Sequence, residues 1–295
     1  MAAAGAAPAA LYVAARPGRG RTVAVCTLQM LGYLAAYEMP NDNPARLQSR
    51  AHVAYPVRLD RILGFGRLPT QRLQHRFSSR AQINRFERLL VWSHWLWFAV
   101  PHGAVAYTLL RKPQNAPKAA VRMYAVFDLG AIIYWLVPTA PPWWAAANGY
   151  VEPLAEGVRF DPFGRRLDDS GAETPVRRIM LEYGERFWGE KWDALYGVLG
   201  GNPLAAMPSL HFATSVMAAR LLSEVDPVAG AAGWAYASTL GLALVYLGEH
   251  YAVDLIAGAA LAQAVNRAAT PLTPGARFAQ RIFDALHGRA HSGGE

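Results

Sequence analysis

Long apolar runs separated by short polar links dominate the chain. A bilayer core of roughly 30 Å needs about 20 apolar residues per helix. Residues 89–110, LLVWSHWLWFAVPHGAVAYTLL, hold no Asp, Glu, Lys or Arg and are followed at once by Arg111 and Lys112, so this run predicts a spanning helix. The runs 123–144 (one charge, Asp128), 204–219, 228–248 and 251–266 (interrupted only by Asp254) predict four more. A shorter run, 22–37, flanked by Arg16, Arg19 and Arg21, predicts a first helix. The pattern therefore predicts an all-α fold, an integral membrane bundle of about six transmembrane helices. A soluble helical core is the competing reading, but 89–110 and 228–248 are apolar on all faces, and soluble proteins seldom have several such helices.

The polar segment 145–203 stands between the third and fourth helices and carries ten acidic and seven basic residues. Its ERFWGEKWDALYGVL part predicts an amphipathic helix with Phe187, Trp188, Trp192 and Leu195 on one face. Upstream, ten arginines fall in 39–88 among apolar residues, the pattern of helices lying against headgroups or of a solvated charged face. The expected organisation is a tail at 1–21, a first membrane helix and basic amphipathic segment at 22–88, a catalytic membrane domain at 89–269 that includes the 145–203 loop, and a tail at 270–295.

Composition sharpens the picture: 53% of residues are hydrophobic, 17% are charged, and the net charge is +8. In such a chain a basic balance points to anionic membrane lipids rather than nucleic acid. The single cysteine, Cys26, excludes an intrachain disulfide and any Cys-rich metal site. The Ala-rich start leads to no convincing cleavage site, so the first helix is expected to stay attached.

Candidate chemistry lies at the ends of the last three helices. The link SEVDP permits only an immediate return, so the fifth helix comes back to the face where the fourth began. At about 1.5 Å per residue, 228–248 spans about 30 Å and brings His250 to the depth of His211. NPLAAMPSLHF sets Pro208 and Ser209 just before His211. The helix start at Ser209 and Leu210 is a natural phosphate cradle, because free amides and the positive dipole end favour an anion. In GEHYAVDLIAG, His250 and Asp254 are four apart and share a face if helical, so the carboxylate can fix the imidazole's tautomer. A metal site would need further ligands that are not in view. Ionisable groups at the ends of apolar helices are expensive in lipid and functional by default.

P-S-x-H followed some forty residues later by H-Y-x-x-D-L-x-x-G resembles the type 2 phosphatidic acid phosphatase superfamily. Ser-Leu-His, the Tyr after the second histidine and the upstream PTAPPWW resemble its inositol phosphorylceramide synthase branch, an inositolphosphotransferase group; the likeness covers about 120–266. The resemblance implies that His250 attacks phosphorus and forms a phosphohistidine, that Asp254 orients it, and that His211 protonates the leaving alkoxide, with no metal or other cofactor. It also implies a lipid phosphate substrate and an active site on the extracytoplasmic face, with the cell (plasma) membrane the expected location.

Two departures from the superfamily pattern matter. Leu244 stands where an arginine is usual six residues before the nucleophile, and Trp143 follows the prolines where basic residues are usual. Arg159, Arg177, Arg178 and Lys191 are the candidate replacements for the guanidinium clamp on phosphate. Trp143, Glu249 and Tyr251 are candidates to flank a headgroup or lipid chain. The expected activity is that of a lipid phosphatase or phosphotransferase. A non-catalytic transporter or lipid-binding scaffold is the alternative, kept alive by the missing arginines. The oligomeric state is not readable.

Overall fold

The computed structural model describes residues 2–78, 82–151, 175–192, 194, 195, 201–269, 281 and 285. Among them the fold is all-α, with two isolated bridges and no strand. Helices α1 (Ala2–Ala14) and α2 (Arg19–Glu38) open the chain, so most of the expected tail at 1–21 is helical. Three short helices follow through the arginine-rich segment: α3 (Pro44–Arg50), α4 (Ala54–Leu63) and α5 (Pro69–Phe77). Then come α6 (Arg85–Trp95), α7 (Val100–Arg111), α8 (Ala116–Leu136), α9 (Pro142–Ala147) and α10 (Ile179–Trp188). The last three are α11 (Leu210–Val225), α12 (Pro227–Tyr246) and α13 (Ala252–Ala268).

Two helical stretches, Pro113–Leu136 and Pro227–Tyr246, are long and apolar enough to cross a membrane. The outward face of α8 carries exposed Val121, Leu129, Ile132 and Leu136, an apolar surface suited to lipid contact. Helix α11 is central and packs against α7, α8, α12 and α13.

Prolines correct three of the sequence boundaries. The run 89–110 is not one helix: it divides into α6, a 3-10 turn at Leu96–Phe98, and α7. Pro101 has no N–H to continue the ladder and sits in the first turn of α7, where none is needed. Helix α8 stops at Leu136 rather than running to 144, because Pro138, Pro141 and Pro142 lie ahead. The fourth apolar helix begins at Leu210 and not at 204, so His211 lies in its first turn and Pro208 just outside it.

The residues before α11 are extended and form a junction. His52 N donates to Pro138 O at 2.8 Å and Ala140 N to His52 O at 3.0 Å; Thr139 N donates to Leu204 O at 2.8 Å and Ala206 N to Thr139 O at 3.0 Å. The arginine-rich segment, the PTAPP turn and the approach to α11 are thus stitched together beside the bundle. Helix α4 packs on α13 and α5 on α12, so this basic segment sits at the same end of the bundle as His211 and His250.

At the other end, buried Arg122 of α8 holds the Glu224 carboxylate through both guanidinium nitrogens, at 2.6 and 2.5 Å, and Asn266 of α13 at 2.9 Å. That ion pair fixes the far ends of three helices that converge on the site.

Candidate active site

The turn between α12 and α13 carries the central histidine. Two residues past the end of α12 comes Gly248 at φ +78, a left-handed conformation that favours glycine. The amides of Glu249 and His250 both donate to Leu244 O at 3.1 Å. Asp254 is the third residue of α13, and its Oδ2 accepts from Tyr251 N at 2.8 Å, as in a capping box. Its pairing with His250 therefore arises from a cap: His250 precedes the helix instead of sharing a helical face with Asp254.

Three side chains form a line. Asp254 Oδ2 lies 3.3 Å from His250 Nδ1, and His250 Nε2 lies 3.2 Å from His211 Nδ1. An ionised Asp254 can only accept, so it places the His250 proton on Nδ1 and leaves a lone pair on Nε2. With His250 in that tautomer, the 3.2 Å contact requires His211 to carry its proton on Nδ1 and to donate to Nε2.

The other side of His211 is aromatic. The Trp97 ring centre is 4.2 Å away and that of His94 is 4.8 Å away. Trp97 is itself fixed, its indole donating to Thr214 Oγ1 at 2.8 Å. The 3-10 turn that breaks the 89–110 run is what brings Trp97 to this position.

The start of α11 is tightly engaged. Ser209 Oγ accepts from Phe212 N at 3.3 Å, Ser209 N donates to Asp254 O at 3.0 Å, and Leu210 N donates to the Tyr134 hydroxyl at 3.2 Å. Tyr134 in turn donates to Pro208 O at 2.6 Å. Ser209 and Leu210, expected to cradle phosphate, are buried, and these groups serve the helix start.

The basic candidates separate. Arg177 is occupied by carboxylates, with Glu182 at 2.5 Å and buried Glu87 at 3.4 Å, and it also donates to Ser78 Oγ at 2.8 Å. Lys191 is exposed. Arg159 lies outside the described residues. Arg178 is only 4% exposed, and its guanidinium stacks 3.9 Å above the Trp143 ring. Trp143 N donates to Gly248 O at 3.1 Å, which ties this stack to the turn bearing His250. Burial pushes the Glu249 carboxyl up from its ordinary value, while the neighbouring charge of Arg178 pulls it back. Arg178, Trp143 and Glu249 thus flank His250. Tyr251 does not join them: it is fully buried in the cluster with Leu68, Val57 and Leu204. It is the N-cap of α13, and its cluster includes Val57 of α4.

Several residues were silent in the sequence. Gln74 of α5 donates to Tyr246 O at 2.8 Å and Arg177 O at 2.9 Å and accepts from Arg177 N at 2.8 Å. Glu87 accepts from the Tyr246 hydroxyl at 3.1 Å. Asp60 of α4 accepts from Val253 N at 3.1 Å, in the first turn of α13. Each bridges a sequence separation above 100 residues and leaves no local signature. Among the described residues no group of three or more His, Cys, Asp or Glu is arranged to hold a metal ion.

This line of two imidazoles and a carboxylate invites comparison with known proteins. The catalytic subunit of inositol phosphorylceramide synthase from Schizosaccharomyces pombe is 28% identical over 174 residues, 55% of this chain and 37% of that protein. The inositol phosphorylceramide synthase of Candida albicans is 28% identical over 169 residues, 57% of this chain and 32% of that protein. The match thus spans about a third of the length of these relatives. No solved structure matches the chain with significance. A family model described as PAP2 superfamily matches residues 54–267, from α4 through the line of catalytic candidates to α13. The chain belongs to the PAP2 superfamily.

Proposed function

We propose that this protein is a metal-independent membrane enzyme that hydrolyses or transfers a lipid phosphate ester through a phosphohistidine at His250. The observation that carries the reading is the line Asp254 to His250 to His211, with contacts of 3.3 and 3.2 Å. It gives one nitrogen a lone pair, the other nitrogen of the same ring a fixed partner, and the lone pair a neighbouring proton donor.

In this mechanism a phosphoryl group enters between the imidazoles. The His250 Nε2 lone pair forms a bond to phosphorus as the ester P–O bond breaks. His211, protonated once the phosphate's negative charge is alongside, gives its proton to the leaving alkoxide. As a neutral imidazole it then takes a proton from water or an alcohol, whose oxygen attacks phosphorus and breaks the P–N bond. Asp254 holds the His250 ring throughout. Arg178, held over the Trp143 ring whose backbone is tied to the turn before His250, supplies the charge stabilisation that Leu244 cannot. Transfer of a phosphoinositol-type headgroup, the chemistry in the relatives' names, is the variant in which an alcohol accepts, with Glu249 placed for a polyol hydroxyl.

The same reading places about six helices across the bilayer, with the two-histidine end outside the cytoplasm. Arg111, Lys112, Lys118 and Arg122 lie towards the opposite end and favour this orientation under the positive-inside tendency, while the arginines of 39–88 count against it. The arginines of α3 to α5 then lie at the outer headgroup level.

The test uses full-length protein in detergent or nanodiscs with a panel of lipid phosphates. Turnover that survives EDTA, falls with orthovanadate and disappears in His250→Ala is expected, together with a base-stable, acid-labile phosphoenzyme. EDTA-sensitive turnover would replace this mechanism with a metal-dependent one. No turnover on any phosphate ester would favour a lipid-binding scaffold.

A further inference from the structure

Behind the nucleophile the structure buries a second carboxyl group. Asp60 is fully inaccessible, as is Asp254. Asp60 Oδ1 accepts from Val253 N at 3.1 Å and so satisfies, from a different helix, one of the amides that α13 leaves open at its N-terminus. Among the described residues, Asp60 Oδ2, Asp254 Oδ1 and the Tyr251 hydroxyl are buried polar atoms with no hydrogen-bond partner. Buried polar groups without partners are rare in folded proteins. All three gather around the one helical turn that holds His250 in place.

Two carboxyl groups in one dry site do not both ionise; one keeps a proton. Asp254 accepts from the Tyr251 amide and pairs with His250, so it is the group held as the anion. Asp60 is then the better holder of a shared proton. Its burial, together with the Asp254 charge, pushes its carboxyl up to about 7, even though it accepts from Val253 N. A protonated Asp60 offers an O–H that complements the orphan lone pairs of Asp254 Oδ1, directly or through one buried water.

We propose that Asp60 is a positioning residue for the nucleophile: it caps the first turn of α13 and donates towards Asp254 Oδ1, so that Oδ2 stays aimed at His250. For the kinetics this deepens the phosphohistidine reading and rests on it. Asp60 touches no substrate in this arrangement and acts only through Asp254.

The test compares Asp60→Ala and Asp60→Asn with wild-type full-length protein in nanodiscs, using one lipid phosphate. Asparagine keeps an acceptor for Val253 N and a donor for Asp254, whereas alanine keeps neither. Asp60→Ala should lower kcat about 10- to 100-fold with KM within about twofold, the loss expected of a misplaced reacting group. Asp60→Asn should recover kcat to within about fivefold of wild type. Amide hydrogen exchange in a peptide covering 250–256 gives a readout independent of turnover, faster in the alanine variant and restored in the asparagine variant. An unchanged kcat in Asp60→Ala, or an asparagine variant as impaired as alanine, overturns the proposal while the assigned activity stands. If the wild type turns over no phosphate ester, the functional reading fails, and the exchange rates alone judge Asp60: equal rates in wild type and Asp60→Ala would reject it. Should the alanine variant not fold, Asp60→Ser is read by the same criteria.

Discussion

Gly258 is the last residue of the H-Y-x-x-D-L-x-x-G pattern, and the structure gives it a specific task. A Cβ placed there would lie 2.5 Å from the Ser209 carbonyl oxygen and 3.4 Å from Ala213 N. The obstruction is backbone, so no side chain can swing aside. Restoring an ordinary contact of 3.4 Å requires 3.4 − 2.5, or about 0.9 Å, of separation between α11 and α13. That motion stretches the 3.0 Å bond from Ser209 N to Asp254 O and carries His211, two residues further on, away from His250. A displacement near 1 Å in a catalytic constellation lowers rate about 100-fold, or about 2.7 kcal/mol of barrier. Overpacking of this kind also removes about 1–3 kcal/mol of stability. Gly258→Ala should therefore fold with a lowered melting temperature and lose kcat about 100-fold, measured on saturating lipid phosphate in nanodiscs. Gly103→Ala is the control, since a Cβ there meets nothing within 4 Å. A Gly258→Ala enzyme with kcat within about threefold of wild type would refute the close-crossing argument.

Arg178→Ala should lower kcat/KM about 100- to 1,000-fold, and Arg178→Lys should recover only part of it, because an ammonium does not stack as a plane on Trp143; steady-state kinetics on one substrate decide this. Stability should depend on pH through Asp60. Its folded carboxyl, pushed up to about 7, lies above the ordinary value of 3.8, so the native state binds the extra proton between these values. Stability is then full below about 4 and falls as pH rises through about 7, by up to about 4 kcal/mol. Melting curves from pH 4 to 8 should show this slope in wild type and its loss in Asp60→Asn; parallel curves would contradict it. Arg122→Met should lower stability by about 1–2 kcal/mol, since Glu224 is half-exposed and rehydrates. Its kcat should be unchanged, because the Arg122–Glu224 pair lies at the end of the bundle away from the histidines.

The order of the helices and the three chemical groups were legible in the sequence, and the reason is local. Apolar runs register helices one at a time, and P-S-L-H and H-Y-A-V-D are short patterns whose residues meet within one turn or across one helix return. The helix ends were less legible because proline acts by position: Pro101 divides an uninterrupted apolar run, and Pro138 stops α8 inside another. The supporting shell was not legible at all. Asp60, Gln74 and Glu87 lie in segments that read as charged amphipathic helices, and only the packing of α4, α5 and α6 on the last two helices turns those side chains inward. The arginines caught attention by number, yet of the candidates Arg178 stands out by its stacking on Trp143, a pairing that sequence spacing does not reveal.

The 3.2 Å contact between His211 and His250 has a consequence for how ligands enter. A phosphorus atom with its oxygens does not fit between nitrogens at that separation, so arrival of the headgroup must wedge the rings apart. In the proposed mechanism, part of the attraction for the substrate goes into that opening and is recovered only as the new bond forms, which weakens the resting complex relative to the reacting one. Until then the nitrogen proposed to attack is occupied by its own neighbour, and stray electrophiles meet a closed door.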